Sequence, residues 1–278
     1  MKIVHTIEDL RAEVFVWRQA GETVGLVPTM GALHNGHLSL VRMSRAKTIR
    51  TCVTLFINPK QFSVNEDLNI YPRDKKGDVR KLREEGVDLL FQPSLEVMYP
   101  KGFSTSISIE GLGDVLEGEA RPGFFNGVAT VVTKLLMQSL PDVAFFGEKD
   151  FQQLLVIKRL TSDLDLPVQI EAVPIVRDHD GLALSSRNNY LSPDERTIAP
   201  VLYGTISQVA EQVGRGAALS DQTNWGREQL LQAGFSFVDY LSIRETETFS
   251  EAKDISTPAR VLVAALLGKT RLIDNVLI

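Results

Sequence analysis

The sequence predicts an α/β protein in which a doubly wound parallel sheet is followed by a smaller C-terminal α+β domain. Three observations carry this. Short apolar runs alternate with amphipathic helical stretches up to about residue 176, the pattern of repeated βα units. One run, Thr51-Cys52-Val53-Thr54-Leu55-Phe56-Ile57, is β-branched and almost continuously apolar, as a parallel strand covered on both faces should be. Beyond about Asn188 the alternation gives way to helices and then three strand-like runs.

Taken in order, residues 7–19 carry apolar positions at helical spacing (Leu10, Val14, Trp17), and Gly21 supplies a stop. A strand over 24–27 breaks at Pro28, and a helix over 36–46 follows. After the run at 51–57, ended by Asn58-Pro59, come a polar helix over 74–85, the breaker Gly86 and a strand over 87–91. Helices over 127–138 and 150–162 then interleave with strands over 142–146 and 168–176. Together these define a Rossmann-like domain expected over residues 1–187. In the remainder, 188–278, Ser192-Pro193-Asp194-Glu195 reads as a helix start with proline at the first helical position. It leads to helices over 194–214 and 221–233 and to strands over 235–244, 260–267 and 270–276, the last two paired across Gly268-Lys269.

Composition narrows the partners. A chain of 278 residues, 44% hydrophobic and 23% charged, can bury the core of one or two domains and is not disordered. Its formal charge of −5 argues against a nucleic-acid surface, which would need excess Lys and Arg, and favours a small-molecule substrate. Cys52 is the only cysteine, so no intrachain disulfide or cysteine-rich metal site can form, which suits a reducing cytosol. Neither an apolar leader nor an 18-residue apolar span occurs in the sequence, and a cytoplasmic protein without membrane association is expected.

Two common nucleotide fingerprints fail. Gly268-Lys269-Thr270 ends like a phosphate loop, but the earlier glycine it requires is Val263; Gly111-Leu112-Gly113 begins like a dinucleotide motif, but Leu116 takes the third glycine's place. More promising is His34-Asn35-Gly36-His37 at a strand-to-helix junction. Two imidazoles at i and i+3 would lie beside the unpaired N–H groups of the helix start, where phosphate is held, although a plain cap with two surface histidines fits the same residues. Phe146-Gly147-Glu148-Lys149-Asp150 follows a strand, at the end where open α/β sheets bind ligands, and Lys149 can meet a phosphate. Leu184-Ser185-Ser186-Arg187-Asn188 offers two hydroxyls and a guanidinium, or forms an ordinary polar turn. Gln61 and Gln153 each follow a strand and could bind an uncharged polar group.

The order and context of these segments resemble the pantothenate synthetase family, within the nucleotidyltransferase superfamily. The resemblance spans nearly the whole chain. It rests on Pro28 to His37, Phe56 to Phe62, Tyr71-Pro72-Arg73, Phe146 to Gln153, Asp180 to Asn188 and Arg271-Leu272-Ile273-Asp274-Asn275. It implies condensation of (R)-pantoate with β-alanine at the expense of ATP, through a pantoyl adenylate, as a step toward vitamin B5 and coenzyme A. Residues implied to surround ATP are Met30, Gly31, Ala32, Leu33, His34, Asn35, Gly36 and His37, then Gly147, Glu148, Lys149 and Asp150, and finally Val176, Leu184, Ser185, Ser186 and Arg187. His37 matches the family's proposed proton donor, with His34 and Lys149 beside it in the catalytic set. Stabilisation of the α-phosphate is an equally good role for His37. Gln61 and Gln153 would hold pantoate, with Gln61 also near β-alanine. Mg²⁺ is expected with ATP, no residue being assigned to it, and a homodimer is implied. One departure stands out: Arg121-Pro122-Gly123-Phe124-Phe125 has phenylalanine where the family usually carries histidine, and Phe124 cannot make an imidazole's hydrogen bonds.

Overall fold

A computed structural model describes residues 1–63 and 66–278, and the chain divides into two compact units, 1–148 with 152–174 and 149–151 with 175–278. In the first, β1 (Lys2–Val4), β2 (Val24–Thr29), β3 (Arg50–Leu55), β4 (Leu89–Phe91), β5 (Val143–Gly147) and β6 (Gln169–Val173) form a parallel sheet ordered β1-β4-β3-β2-β5-β6. Between them run α1 (Ile7–Gln19), α2 (Asn35–Lys47), α3 (Lys75–Glu84), the short turns α4 (Leu95–Met98) and α5 (Glu117–Ala120), α6 (Phe124–Ser139) and α7 (Phe151–Asp163).

Local chemistry explains these elements. Thr6 caps α1 by accepting the Asp9 N–H at 3.1 Å, and Leu10, Val14 and Trp17 turn one face of that helix into the interior. Removing such a side chain from water contributes about 1.5–3 kcal/mol. The buried stretches of β2 and β3 pair in register from Val24↔Arg50 to Thr29↔Leu55 and share a core with Leu33, Val41, Leu82 and Phe145.

The strand order reverses at β2, with β3, β4 and β1 on one side and β5 and β6 on the other. In open α/β sheets that switch point is where ligands bind. Pro28 lies within β2 instead of ending it, and the reason is a matter of edges. Val24 O accepts from Asp142 N, so even-numbered positions of β2 face β5, and pairing with β5 stops at Leu26↔Ala144. The missing N–H of Pro28 therefore points to the side where the ladder has already ended, while pairing with β3 continues to Thr29.

The second unit contains α8 (Pro193–Ile198), α9 (Val201–Gly214), α10 (Leu219–Ala233) and an antiparallel sheet of β7 (Phe237–Glu245), β8 (Ala259–Leu267) and β9 (Thr270–Leu277) ordered β7-β8-β9. It has its own core, including Leu202, Ile206, Val209, Leu230, Val261 and Val263. The single helix expected over 194–214 is two, because Pro200 has no N–H to continue α8. Residues 175–187, grouped by the sequence reading with the first domain, pack with the second unit: Arg177 pairs with Asp274, and Asp178 and Asp180 with Arg196. Among the described residues no helix is long and apolar enough to cross a membrane.

Candidate active site

The loop leaving β2 turns through two successive left-handed residues, Gly31 (φ 93°) and Ala32 (φ 51°). A Cβ at Gly31 would come within 3.2 Å of an Asp78 carboxylate oxygen, so glycine serves both the turn and the approach. Asp78, buried on α3, accepts from Ala32 N at 2.9 Å and from Leu33 N at 2.8 Å. One turn along, Lys81 Nζ donates to Leu33 O at 2.6 Å. Burial pushes the Asp78 carboxyl above the usual aspartate value, against the pull of the two N–H groups and Lys81. Nothing in the polar pattern of 74–85 marks which carboxylate would do this.

From this clamped loop α2 begins. His34 is its N-cap and accepts the Gly36 N–H on Nδ1 at 3.2 Å; His37 accepts the His34 N–H on its own Nδ1 at 3.3 Å. The rings lie 4.1 Å apart. A ring nitrogen that accepts an N–H carries no proton, so both imidazoles are neutral with their hydrogen on Nε2. Each presents a donor, and the first turn of α2 has no acidic residue to satisfy its N-terminal dipole internally. The cap that the sequence offered as one alternative is therefore present, made by both Nδ1 atoms, and it leaves the anion-site alternative compatible with the same rings.

Gln61 is set by a hydrogen-bonded chain. Burial pushes the Tyr99 phenol up to about 12, so it remains a donor, and its hydroxyl donates to Asn58 Oδ1 at 2.8 Å. Asn58 Nδ2 must then face the other way, donating to Gly127 O and to Gln61 Oε1 at 3.0 Å. The Gln61 amide is left with Nε2 as its donor end, 3.1 Å from Met30 Sδ. Asn58 and Tyr99 were missed in the sequence, where neither has a local signal. Gly147 ends β5 and Glu148 begins the short turn after it; Gln153 is half-buried on the first turn of α7, beside a Gln152 that is buried and spent on Glu117, Leu112 and Val115.

Phe124 begins α6, and the Arg121 guanidinium stacks 3.7 Å above its ring while pairing with Glu66 and donating to Gln61 O at 3.3 Å. An aromatic face thus supports the arginine at the position where the resemblance led to the expectation of an imidazole.

Lys149, Asp150, Val176, Leu184, Ser185, Ser186 and Arg187 belong to the second unit. There a hairpin-like turn pairs Arg177 with Ala183, Leu184 N donates to Val176 O at 3.0 Å, and Ser185 caps the short turn Ser186–Tyr190 by accepting from Arg187 N. The expected residues therefore divide between the units. His34 and His37, and Met30 and Gln61, are in contact within the first; the Lys149 and Ser185–Arg187 segments belong to the second. No group of three or more His, Cys, Asp or Glu side chains gathers in metal-binding geometry among the described residues.

A sequence profile for pantoate-beta-alanine ligase matches residues 2–277. A pantothenate synthetase of Paramagnetospirillum magneticum is 51% identical over 274 residues, covering 99% of this chain and 96% of that protein. One from Rhodospirillum rubrum is 51% identical over 277 residues, covering 99% and 98%. Among solved structures, pantothenate synthetase from Thermus thermophilus superposes with a TM-score of 0.94 at 46% identity, covering 99% of each chain. Pantoate-beta-alanine ligase from Francisella tularensis, complexed with beta-gamma ATP and beta-alanine, superposes at 0.85 with 33% identity, covering 100% of this chain and 97% of that one.

Proposed function

The chain belongs to the pantoate-beta-alanine ligase family, and from that premise we propose how its residues divide the work of joining pantoate to β-alanine. The family makes it a ligase that forms pantothenate, with ATP as the energy source. In the first step a pantoate carboxylate oxygen attacks the α-phosphorus of ATP, the bond to the β-phosphate oxygen breaks, and pyrophosphate leaves. In the second, the amine of β-alanine attacks the acyl carbon of the adenylate, AMP leaves with the C–O electron pair, and the amine gives up a proton.

Neither step needs a nucleophilic side chain. Phosphoryl-type transition states are served by positioning and charge neutralisation. The observation that carries the proposal is the histidine pair: two neutral rings held by their own helix cap, each with an Nε2–H donor, at the start of α2 beside the sheet's switch point. Such preorganised donors suit the oxygens of an α-phosphate gaining charge. Lys149 and Arg187 add positive charge for the leaving phosphates, and Ser185 and Ser186 add hydroxyl donors. The remaining ATP contacts are proposed at Met30 to Gly36, Gly147, Glu148, Asp150, Val176 and Leu184. Gln61, its amide orientation set along the Tyr99–Asn58 chain, and Gln153 suit the oxygens of a hydroxy acid. Mg²⁺ is proposed to arrive on ATP with phosphate oxygens and water as its ligands, and no step is assigned to a protein-held metal. A cytoplasmic homodimer follows from the same family reading.

Isotope exchange tests the order of events. Labelled pyrophosphate should enter ATP with pantoate alone, and AMP should accumulate only once β-alanine is added. Exchange without pantoate would overturn the adenylate scheme.

A further inference from the structure

The Arg271-Leu272-Ile273-Asp274-Asn275 motif belongs to β9, and the chemistry above makes no use of it. Yet Asp274 and Asn275 are 3% and 2% exposed, and such burial of a carboxylate and an amide beside β8, itself mostly apolar, costs stability unless both are fully paired. We propose that this pair is a positioning element for the phosphate-binding groups of the second unit. The proposal rests on the reading of Lys149 and Ser185–Arg187 as nucleotide contacts.

Each residue of the pair serves one of those segments. Asn275 Nδ2 donates to the main-chain oxygen of Lys149 at 3.0 Å, and its Oδ1 accepts from Arg260 Nη1 at 2.5 Å, which fixes the amide's orientation. The same Arg260 guanidinium lies 4.3 Å over the ring of Phe151, two residues past Lys149. The backbone from which the Lys149 ammonium extends is thereby held at two points. Asp274 takes both terminal nitrogens of Arg177, at 2.5 and 2.9 Å. Arg177 donates onward to Gly181 O at 3.1 Å and to Asn275 O at 3.2 Å, and stacks 3.9 Å from the Tyr203 ring. Arg177 also bridges to Ala183, and Asn188 Nδ2 donates to Ala183 O, so both ends of the loop bearing Ser185, Ser186 and Arg187 meet at Ala183, next to the Arg177 that Asp274 holds. A purely supporting role would be met as well or better by apolar residues of similar volume. What the polar pair adds is direction: Asn275 holds the main chain of Lys149, and Asp274 holds Arg177, which bridges to Ala183 at the start of the Ser185–Arg187 loop.

The test is a pair of double-mutant cycles read by pyrophosphate exchange, which separate positioning from general support. Asn275→Ala should slow exchange by about 10-fold to 10²-fold, the scale of an ångström's misplacement of a charge-stabilising group, with the KM for β-alanine unchanged. In a Lys149→Ala background the same change should cost no more than about twofold. Arg177→Lys keeps the charge and loses the two-pronged grip, and should behave likewise against Arg187→Ala; this cycle decides if Asn275→Ala fails to fold. Losses that multiply in full would overturn the positioning role. A wild-type rate in Lys149→Ala would instead remove the nucleotide assignment itself, and the proposal with it.

Discussion

At His37 the chemistry turns on which ring nitrogen carries the proton. With Nδ1 engaged by the His34 N–H, the donor proposed to meet the α-phosphate is a neutral Nε2–H, so a donor of similar reach should replace it in part. His37→Ala should lower pyrophosphate exchange by about 10²–10³-fold, and His37→Gln, whose amide nitrogen falls near the Nε2 position, should recover a measurable share. A glutamine no better than alanine would refute the neutral-donor role. Tyr99 acts one step further back, by orienting Asn58 and through it Gln61. Tyr99→Phe frees both amides to flip, a loss of about 0.5–1.5 kcal/mol. The KM for pantoate should rise about threefold to tenfold while that for ATP stays put, and equal changes in both would contradict the chain as drawn. Asp78 carries a pH signature. Its folded carboxyl is raised above the reference value of 3.8, so its contribution to stability is complete below that value and is lost as pH climbs through the raised one. Asp78→Asn cannot ionise, and its melting temperature relative to wild type should therefore increase with pH across that window. Its ATP KM should be about tenfold higher at every pH, because the amide leaves a loop N–H facing another donor. A flat difference in melting temperature would exclude buried ionisation at Asp78.

Between elements, the closest approach that bears on the site is α6 against the turn Pro59–Gln61. A Cβ on Gly127 would lie 2.1 Å from Lys60 O, and since that atom is backbone, the turn carrying Gln61 would have to move. Overpacking of this kind costs about 1–3 kcal/mol. Gly127→Ala should lower the melting temperature by roughly 2–10 °C and raise the KM for pantoate; thermal scans and initial rates check both, and a variant unchanged in either would contradict the contact. The same helix shows where sequence reading succeeds and where it stops. Periodicity is local, so α6, α2 and the buried run of β3 were legible, as was the histidine pair, whose i and i+3 spacing lies within one turn. β1 was not, because three residues at a sheet edge carry no pattern and its register comes from distant β4. Pro28 misled for a similar reason: whether a proline ends a strand depends on whether a neighbour needs its N–H, and β5 stops pairing two residues earlier. The bonds that join Asp78 to Ala32, Asn58 to Tyr99 and Asn275 to Lys149 were hidden because each pair lies far apart in sequence. A residue's type shows what bonds it can make, and the fold decides with what.

For the whole molecule, the chain crosses between its two units at 148/149, 151/152 and 174/175, and each unit has a separate hydrophobic core. Its two tryptophans happen to report on them individually: Trp17 is buried on α1 of the first, and Trp225 packs against the core of the second. The residues proposed to bind ATP are also split, with His34 and His37 in one unit and Lys149 and Ser185–Arg187 in the other. A ligand stabilises whatever it contacts by mass action, about 2.7 kcal/mol at a hundred times its dissociation constant. Two single-tryptophan proteins, Trp225→Phe and Trp17→Phe, should therefore both melt at higher temperature with saturating ATP. Adding Lys149→Ala should shrink the shift seen by Trp225, at an ATP concentration that saturates the parent. If Trp17 responds while Trp225 melts at the same temperature with and without nucleotide, ATP is bound by the first unit alone, and Lys149, Ser185, Ser186 and Arg187 lose their assigned role.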